Sequence, residues 1–259
     1  MYVASLGPAN EHFDAEQWRV RVSSVLGASH ERRGAPCQDA YCARANGRRC
    51  VAVVADGAGS APHGGDGAAL AARSIVDTLA DLHVTLSSCT ILDALANARA
   101  ALQVQSNAAA DKLRSFATTI VGVALQGTRG VFFHLGDGLA MGFCGSAPSR
   151  VQALSRGTAS EFANVSSFLT DPDWRESVVF TPLWSVDAVM LMSDGIAPFA
   201  IDTKGSPKPA FHDPILSFLA AHAGEVGAPA LAELMSKDVV RRTSGDDCTL
   251  LWAGRLSER

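Results

Sequence analysis

Four acidic sites stand out for the residues around them. In Val51–Ser60, VAVVADGAGS, five apolar residues run directly into Asp56-Gly57. In Ala188–Ser193, AVMLMS, a second run is followed by Asp194-Gly195. Asp246-Asp247 opens a third run, Cys248–Ala253, and Asp137 lies in HLGDG between two apolar stretches. A short run that is apolar at every position reads as a strand buried on both faces. Each such run delivers a carboxylate to a strand end, and the glycine after Asp56 and Asp194 lets the backbone turn or approach a ligand closely. Carboxylates gathered at strand ends, with little basic residue nearby, suggest a pocket for hard divalent cations, which take oxygen ligands. Without a cation, two carboxylates about 4 Å apart repel by roughly 4 kcal/mol at an effective dielectric of ~20. Such a cluster is a poor structural device and a good metal trap.

The elements that must position these groups follow from periodicity. Trp18–Ala28 and Gln38–Ala43 have strand character, separated by a basic loop, Ser29–Pro36, and followed by a polar turn, Arg44–Arg49. The glycine-rich stretch Gly59–Gly67 reads as a loop feeding a helix from Asp66 to Leu82. Ala72, Ile75, Val76, Leu79 and Leu82 fall on one face of that helix. A second helix is expected from Ile91 to Leu113, with Thr90 and Asp93 as its capping pair. The period then changes. Thr118–Leu125, Gly130–Leu135 and Leu139–Cys144 read as an antiparallel meander. Arg156–Arg175 reads as an irregular surface segment near the site, and Val178–Thr181 and Ala188–Ser193 as strands. Asp213–His222 and Pro229–Val240 read as helices, with Pro229 in the first helical position, and Cys248–Ala253 as the last strand. Helices segregated from antiparallel strands give an α+β class. Two antiparallel sheets packed face to face, with helix pairs outside, would bury every apolar face.

The bulk composition narrows the rest. A 259-residue chain that is 47% hydrophobic can bury a sizeable core. Met1–Gln17 reads as a loosely held leader and residues 18–259 as a single domain. A formal net charge of -4 gives no reason to expect nucleic acid or an anionic membrane as partner. No apolar run approaches the ~18 residues that span a bilayer. The first residues lack a basic region followed by an apolar stretch, so the expected location is the cytoplasm. None of the six cysteines forms a CxxC pair, which favours reduced core thiols over zinc or disulfides.

Taken in order, the motifs resemble the metal-dependent type 2C Ser/Thr protein phosphatases over nearly the whole chain, from about Val22 to Trp252. VVADGAGS is similar to that family's central Asp-Gly motif, SFATTI to its Thr-Thr strand, and HLGDGLA to its Gly-Asp-Ser motif. MLMSDGI is similar to its Ser-Asp-Gly motif, GDDCTLL to its closing Asp-Asn-x-Thr motif, and CQDAY to its N-terminal Glu-Asp pair. SHERRGAPCQDA and EFANVSSFLTD resemble a bacterial branch. The resemblance implies an α-β-β-α sandwich holding two Mg²⁺ or Mn²⁺ ions, with a third, weaker site. Asp56 would bridge the two ions and the Gly57 carbonyl would complete one sphere. Asp194 and Asp246 would bind the second ion, and Asp137 with Asp194 the third. Asp39 and Gln38 would hold metal-bound waters. A water bridging two cations is acidified and can attack phosphorus in line, without a phosphoenzyme. The implied substrates are proteins phosphorylated on serine or threonine by a partner kinase in a signalling pathway.

Some positions depart from that pattern. Gln38 stands where the family carries Glu, removing one negative charge from the site. Gly34 stands where the family has a phosphate-binding Arg, so Arg33, Arg32 and His30 are the candidates for substrate phosphate. Ala58 replaces a His proposed as general acid in eukaryotic members, and Asp247 occupies an Asn position where it would support the loop. Other readings of the same residues are a catalytically weak relative acting as a phospho-signalling module, and a small-molecule phosphohydrolase. Asp137-Gly138 is also an ordinary hairpin turn signal. Asn164-Val-Ser166 matches a glycosylation acceptor by chance.

Overall fold

The computed structural model describes residues 1–145, 150–157 and 166–256. Asn164 and part of the irregular segment expected over Arg156–Arg175 lie outside the described residues. The chain begins with β1 (Tyr2–Leu6), β2 (Ala9–Asp14) and β3 (Trp18–Val25), then α1 (Ala28–Arg33), β4 (Asp39–Asn46) and β5 (Arg49–Asp56). The long helices α2 (Gly64–Leu79) and α3 (Ser88–Ala108) follow. Next come β6 (Ile120–Gln126), β7 (Arg129–Leu135), β8 (Leu139–Cys144), β9 (Arg150–Ser155), β10 (Val179–Leu183) and β11 (Ala188–Met192). Four helices, α4 (Ala197–Ala200), α5 (Pro209–Ala221), α6 (Gly224–Met235) and α7 (Asp238–Thr243), precede β12 (Cys248–Arg255).

The strands form two antiparallel six-stranded sheets, in the orders β1-β4-β5-β6-β7-β10 and β2-β3-β12-β11-β8-β9. Strand alternation splits their apolar residues between two faces. Tyr41, Val54, Val121 and Leu125 of the first sheet meet Val20, Val22, Leu191 and Leu251 of the second in a central core. The other face of the first sheet packs Val51 and Val53 against Ile75 and Leu79 of α2 and Leu95 of α3. The outer face of the second packs Met190 and Leu250 against Leu216 of α5 and Leu231 of α6. Three apolar layers between four structural layers make the expected α-β-β-α sandwich.

Tertiary context revises several local expectations. Residues 2–14 are not a loose leader: β1 pairs with β4 and β2 with β3, so each sheet takes one edge strand from this segment. Polar composition hid them because edge strands face water on one side. The meander also ends early. β6 and β7 pair, but β8 crosses to the second sheet and pairs with β11 and β9. Gly136, at φ +110, turns the chain between sheets, so Asp137 sits on a crossover and not in a hairpin. The basic loop contains α1, closed by Gly34 in the left-handed conformation that glycine adopts without strain. Ser87, and not Thr90, caps α3, and the two side chains exchange hydrogen bonds with each other's backbone N–H. That helix stops at Ala108. Pro229 lies inside α6, which begins at Gly224.

Deleting residues 1–14 would expose an unpaired edge on both sheets. The expected result is a clear fall in the urea midpoint and a greater tendency to aggregate. An unchanged midpoint would restore the leader reading.

Candidate metal centre

The acidic residues meet where strand ends of the two sheets open on one cleft of about 270 Å³. Asp56 closes β5, and its backbone is pinned from both sides. Its N–H donates to Thr119 Oγ1 at 3.1 Å, and its carbonyl accepts from Thr118 Oγ1 at 3.0 Å and from the Thr119 N–H at 2.9 Å. The Thr-Thr pair thus fixes where the carboxylate stands. Gly57 continues on a path that only glycine allows, since a Cβ there would come 2.2 Å from the Gly64 backbone. Asp39 begins β4 directly opposite Asp56 in the register. Its Oδ2 accepts from Ser193 Oγ at 2.8 Å, and that hydroxyl accepts from the Thr249 N–H at 2.9 Å, which ties the first sheet to the second.

Asp194 follows β11 and Asp137 follows β7. With Asp56 they form one set in which an oxygen of each carboxylate lies within 4.8 Å of the others. Ser166 Oγ donates to Asp137 Oδ2. Asp246 belongs to a second set, with His30 and Asp247, on the same cleft. Asp247 is buried and acts as a carboxylate clamp. It accepts from the Gly27 N–H and the Gln38 N–H, both at 2.7 Å, and its Oδ2 lies 2.8 Å from His30 Nδ1. Gln38 lines the cleft, and its Nε2 donates to Ala61 O at 3.4 Å. The fold therefore brings Asp56, Asp137, Asp194, Asp246 and Gln38 to one cleft, with Asp39 buried close by.

The phosphate candidates separate. His30 and Arg33 line this cleft. Arg32 instead lines a larger neighbouring groove of about 460 Å³, with Arg241 and Arg242. Ser166 was not foreseen, because nothing in its local spacing points to Asp137. Ser193 was visible only as the first letter of the Ser-Asp-Gly motif, whose serine bonds across to Asp39.

Electrostatics shows what this arrangement demands. Burial and the neighbouring charges of Asp39, Asp194, Asp246 and Asp137 push the Asp56 carboxyl well above its usual range. Burial, with the charges of Asp247 and Asp194, pushes Asp39 up to about 8 against the bonds it accepts. Burial and the charges of Asp137 and Asp246 push Asp194 up to about 6. Asp39 Oδ1 and Asp194 Oδ1 are buried without a hydrogen-bond partner among the described residues. A site that raises its own carboxyl pKa values and leaves oxygens unmatched calls for positive charge, and its oxygen donors suit Mg²⁺ or Mn²⁺.

The family model described as protein phosphatase 2C matches residues 26–236. Serine/threonine-protein phosphatase 3 of Escherichia coli (strain K12) is 29% identical over 253 residues, covering 91% of this chain and 99% of that protein. The catalytic domain of the serine threonine protein phosphatase PstP, solved in complex with two manganese ions, superposes with a TM-score of 0.62 at 19% identity. That match covers 93% of this chain and 99% of that one. RsbX, solved in complex with magnesium, superposes with a TM-score of 0.57 at 12% identity, covering 96% of this chain and 100% of that one.

A carboxyl whose folded pKa is raised binds protons more tightly when folded than unfolded, so it stabilises the fold at low pH. That contribution is complete below an ordinary aspartate pKa of ~4 and is lost as pH rises through the folded values. For Asp194 and Asp39 those are about 6 and about 8. The melting temperature of metal-free protein should therefore fall between about pH 4 and about pH 8. Saturating Mn²⁺ should cancel the fall by replacing the protons. Parallel melting curves with and without Mn²⁺ would show that these carboxylates do not bind the cation.

Proposed function

The chain belongs to the protein phosphatase 2C family, whose members are hydrolases that act on serine/threonine phosphoproteins, and from that premise we propose a binuclear Mg²⁺- or Mn²⁺-dependent mechanism for it. The observation that carries the proposal is the convergence of Asp56, Asp137 and Asp194 on a cleft where, among the described residues, buried carboxylate oxygens lack partners. In this reading Asp56 and the Gly57 carbonyl would help hold the ions. Asp194 and Asp246 would hold the second ion, Asp137 with Asp194 a third and weaker one, and Asp39 and Gln38 would orient bound water. When bound, such ions lower the pKa of water and offset charge on phosphoryl oxygens. The PstP complex with manganese and the RsbX complex with magnesium support this choice of ions.

The remaining groups support hydrolysis without a covalent intermediate. Cys37 and Cys248 lie beside the acidic residues; burial with the charge of Asp39 raises both thiols, Cys248 up to about 12. A thiol that stays protonated is no nucleophile. Arg33, exposed at the cleft mouth and anchored through Nε to Ser29 O at 3.1 Å, is placed to take substrate phosphate in place of the arginine missing at Gly34. The open cleft admits a phosphorylated side chain on a protein surface, and the proposed substrates are those of a Ser/Thr kinase. Among the described residues no helix is long and apolar enough to cross a membrane.

Turnover of p-nitrophenyl phosphate, a phosphothreonine peptide and a nucleotide should be measured with Mn²⁺ and after chelation. We expect metal-dependent hydrolysis that favours the peptide over the nucleotide. Asp56→Asn should lower kcat at least about 100-fold, the scale of losing a principal transition-state contact. Arg33→Ala should raise KM for the peptide more than it lowers kcat. Folded protein with no metal-dependent rate would overturn the mechanism, and preference for the nucleotide would move it to small-molecule hydrolysis.

A further inference from the structure

The cleft carries a nitrogen donor among its oxygens. His30, on α1, has a side chain only 6% exposed. Its Nδ1 is engaged by Asp247, whose carboxylate cannot swing away because the Gly27 and Gln38 N–H groups hold both of its oxygens. A carboxylate at Nδ1 is the arrangement that orients a metal-binding imidazole, whose other nitrogen, Nε2, would then be the ligand. Nε2 makes no hydrogen bond among the described residues, and Asp246 Oδ1 lies 3.8 Å from it. Two donors bound to one ion at about 2.1 Å sit roughly 3 to 4 Å apart, so this spacing is that of two ligands sharing a cation. His30 and Asp246 line the same cleft as Asp56 and Asp194.

We infer that His30 Nε2 and Asp246 jointly ligate the cation on the α1 side of the centre, with Asp247 orienting the imidazole. The inference rests on the metal-centre reading above and adds a nitrogen ligand to it. Two backbone facts support the arrangement. The Ser29 N–H donates to Gly245 O at 2.7 Å, so α1 and the loop bearing Asp246 are joined beside the pair. Gly27 packs so closely on the Asp246 backbone that a Cβ would come within 2.3 Å, which fixes their separation. An imidazole ligand biases a site toward transition metals and away from Mg²⁺. With His30 bound to the ion, recognition of substrate phosphate falls to Arg33.

The test uses the whole chain, stripped of metal and reloaded with Mn²⁺, with pulsed electron paramagnetic resonance on unlabelled and ¹⁵N-histidine-labelled samples. We expect a histidine nitrogen coupling on bound Mn²⁺ that changes with the isotope and disappears in His30→Gln. By calorimetry, Asp247→Asn should weaken Mn²⁺ binding at one site about 10- to 100-fold, the usual effect of losing the carboxylate behind a metal-bound imidazole. Mg²⁺ binding should change less. Bound Mn²⁺ without nitrogen coupling in the unaltered protein would overturn the assignment while leaving the carboxylate centre intact, and would make His30 an ion-pair partner of Asp246 and Asp247. Coupling that survives in His30→Gln would overturn it as well, because another histidine would be the ligand. Failure to bind Mn²⁺ at all would bring down the metal-centre reading and this inference together.

Discussion

Asp39 and Asp56 face each other across β4 and β5 while Asp194 reaches the same cleft from the second sheet. Three carboxylates in such proximity oppose the packing of the two sheets, since burial strengthens their repulsion. The fold holds them there with neighbouring hydrogen bonds. Thr118 and Thr119 grip the Asp56 backbone, and Ser193 with Thr249 carries Asp39 across the sheet interface. This scaffold sets the positions of the oxygens without neutralising them. The remaining electrostatic cost makes the site responsive to protons and to cations.

The second set of groups is built on a different principle. Asp247 is buried, but its oxygens are matched by two backbone N–H groups and an imidazole. A buried carboxylate with several donors is a rigid device. It draws together Gly27 before α1, His30 on α1, Gln38 before β4 and its own position before β12. The cleft therefore has one wall of unmatched oxygens and one wall held by a satisfied clamp. The clamp also places Arg33 toward the cleft, while Arg32, one residue earlier on the same short helix, faces the adjoining groove.

Much of this was legible in the chain. Val51–Ala55 and Ala188–Met192 lie at the middle of their sheets, where both faces are covered, so an unbroken apolar run is what burial requires. Asp56 and Asp194 end such runs, and a charged residue at the end of a buried strand announces itself. Edge strands β1 and β2 gave no such signal, because their sequences, YVASL and ANEHFD, mix polar and apolar residues as a half-solvated strand does. The crossover at Gly136 was equally hidden. A glycine turn between two apolar runs has the same local chemistry whether the next strand folds back on its neighbour or joins the other sheet.

By itself, then, the sequence determined the strand cores, the helix faces, the class of the fold and the identity of the carboxylates, because burial and backbone preference act on residues close in the chain. Tertiary structure alone decided which carboxylates share a set. It joined Asp56 to Asp137 and Asp194, gave Asp246 to His30, and turned Asp247 into a clamp. Those pairings join residues as far apart as His30 and Asp247, and their distances depend on how two sheets pack, which no local pattern encodes.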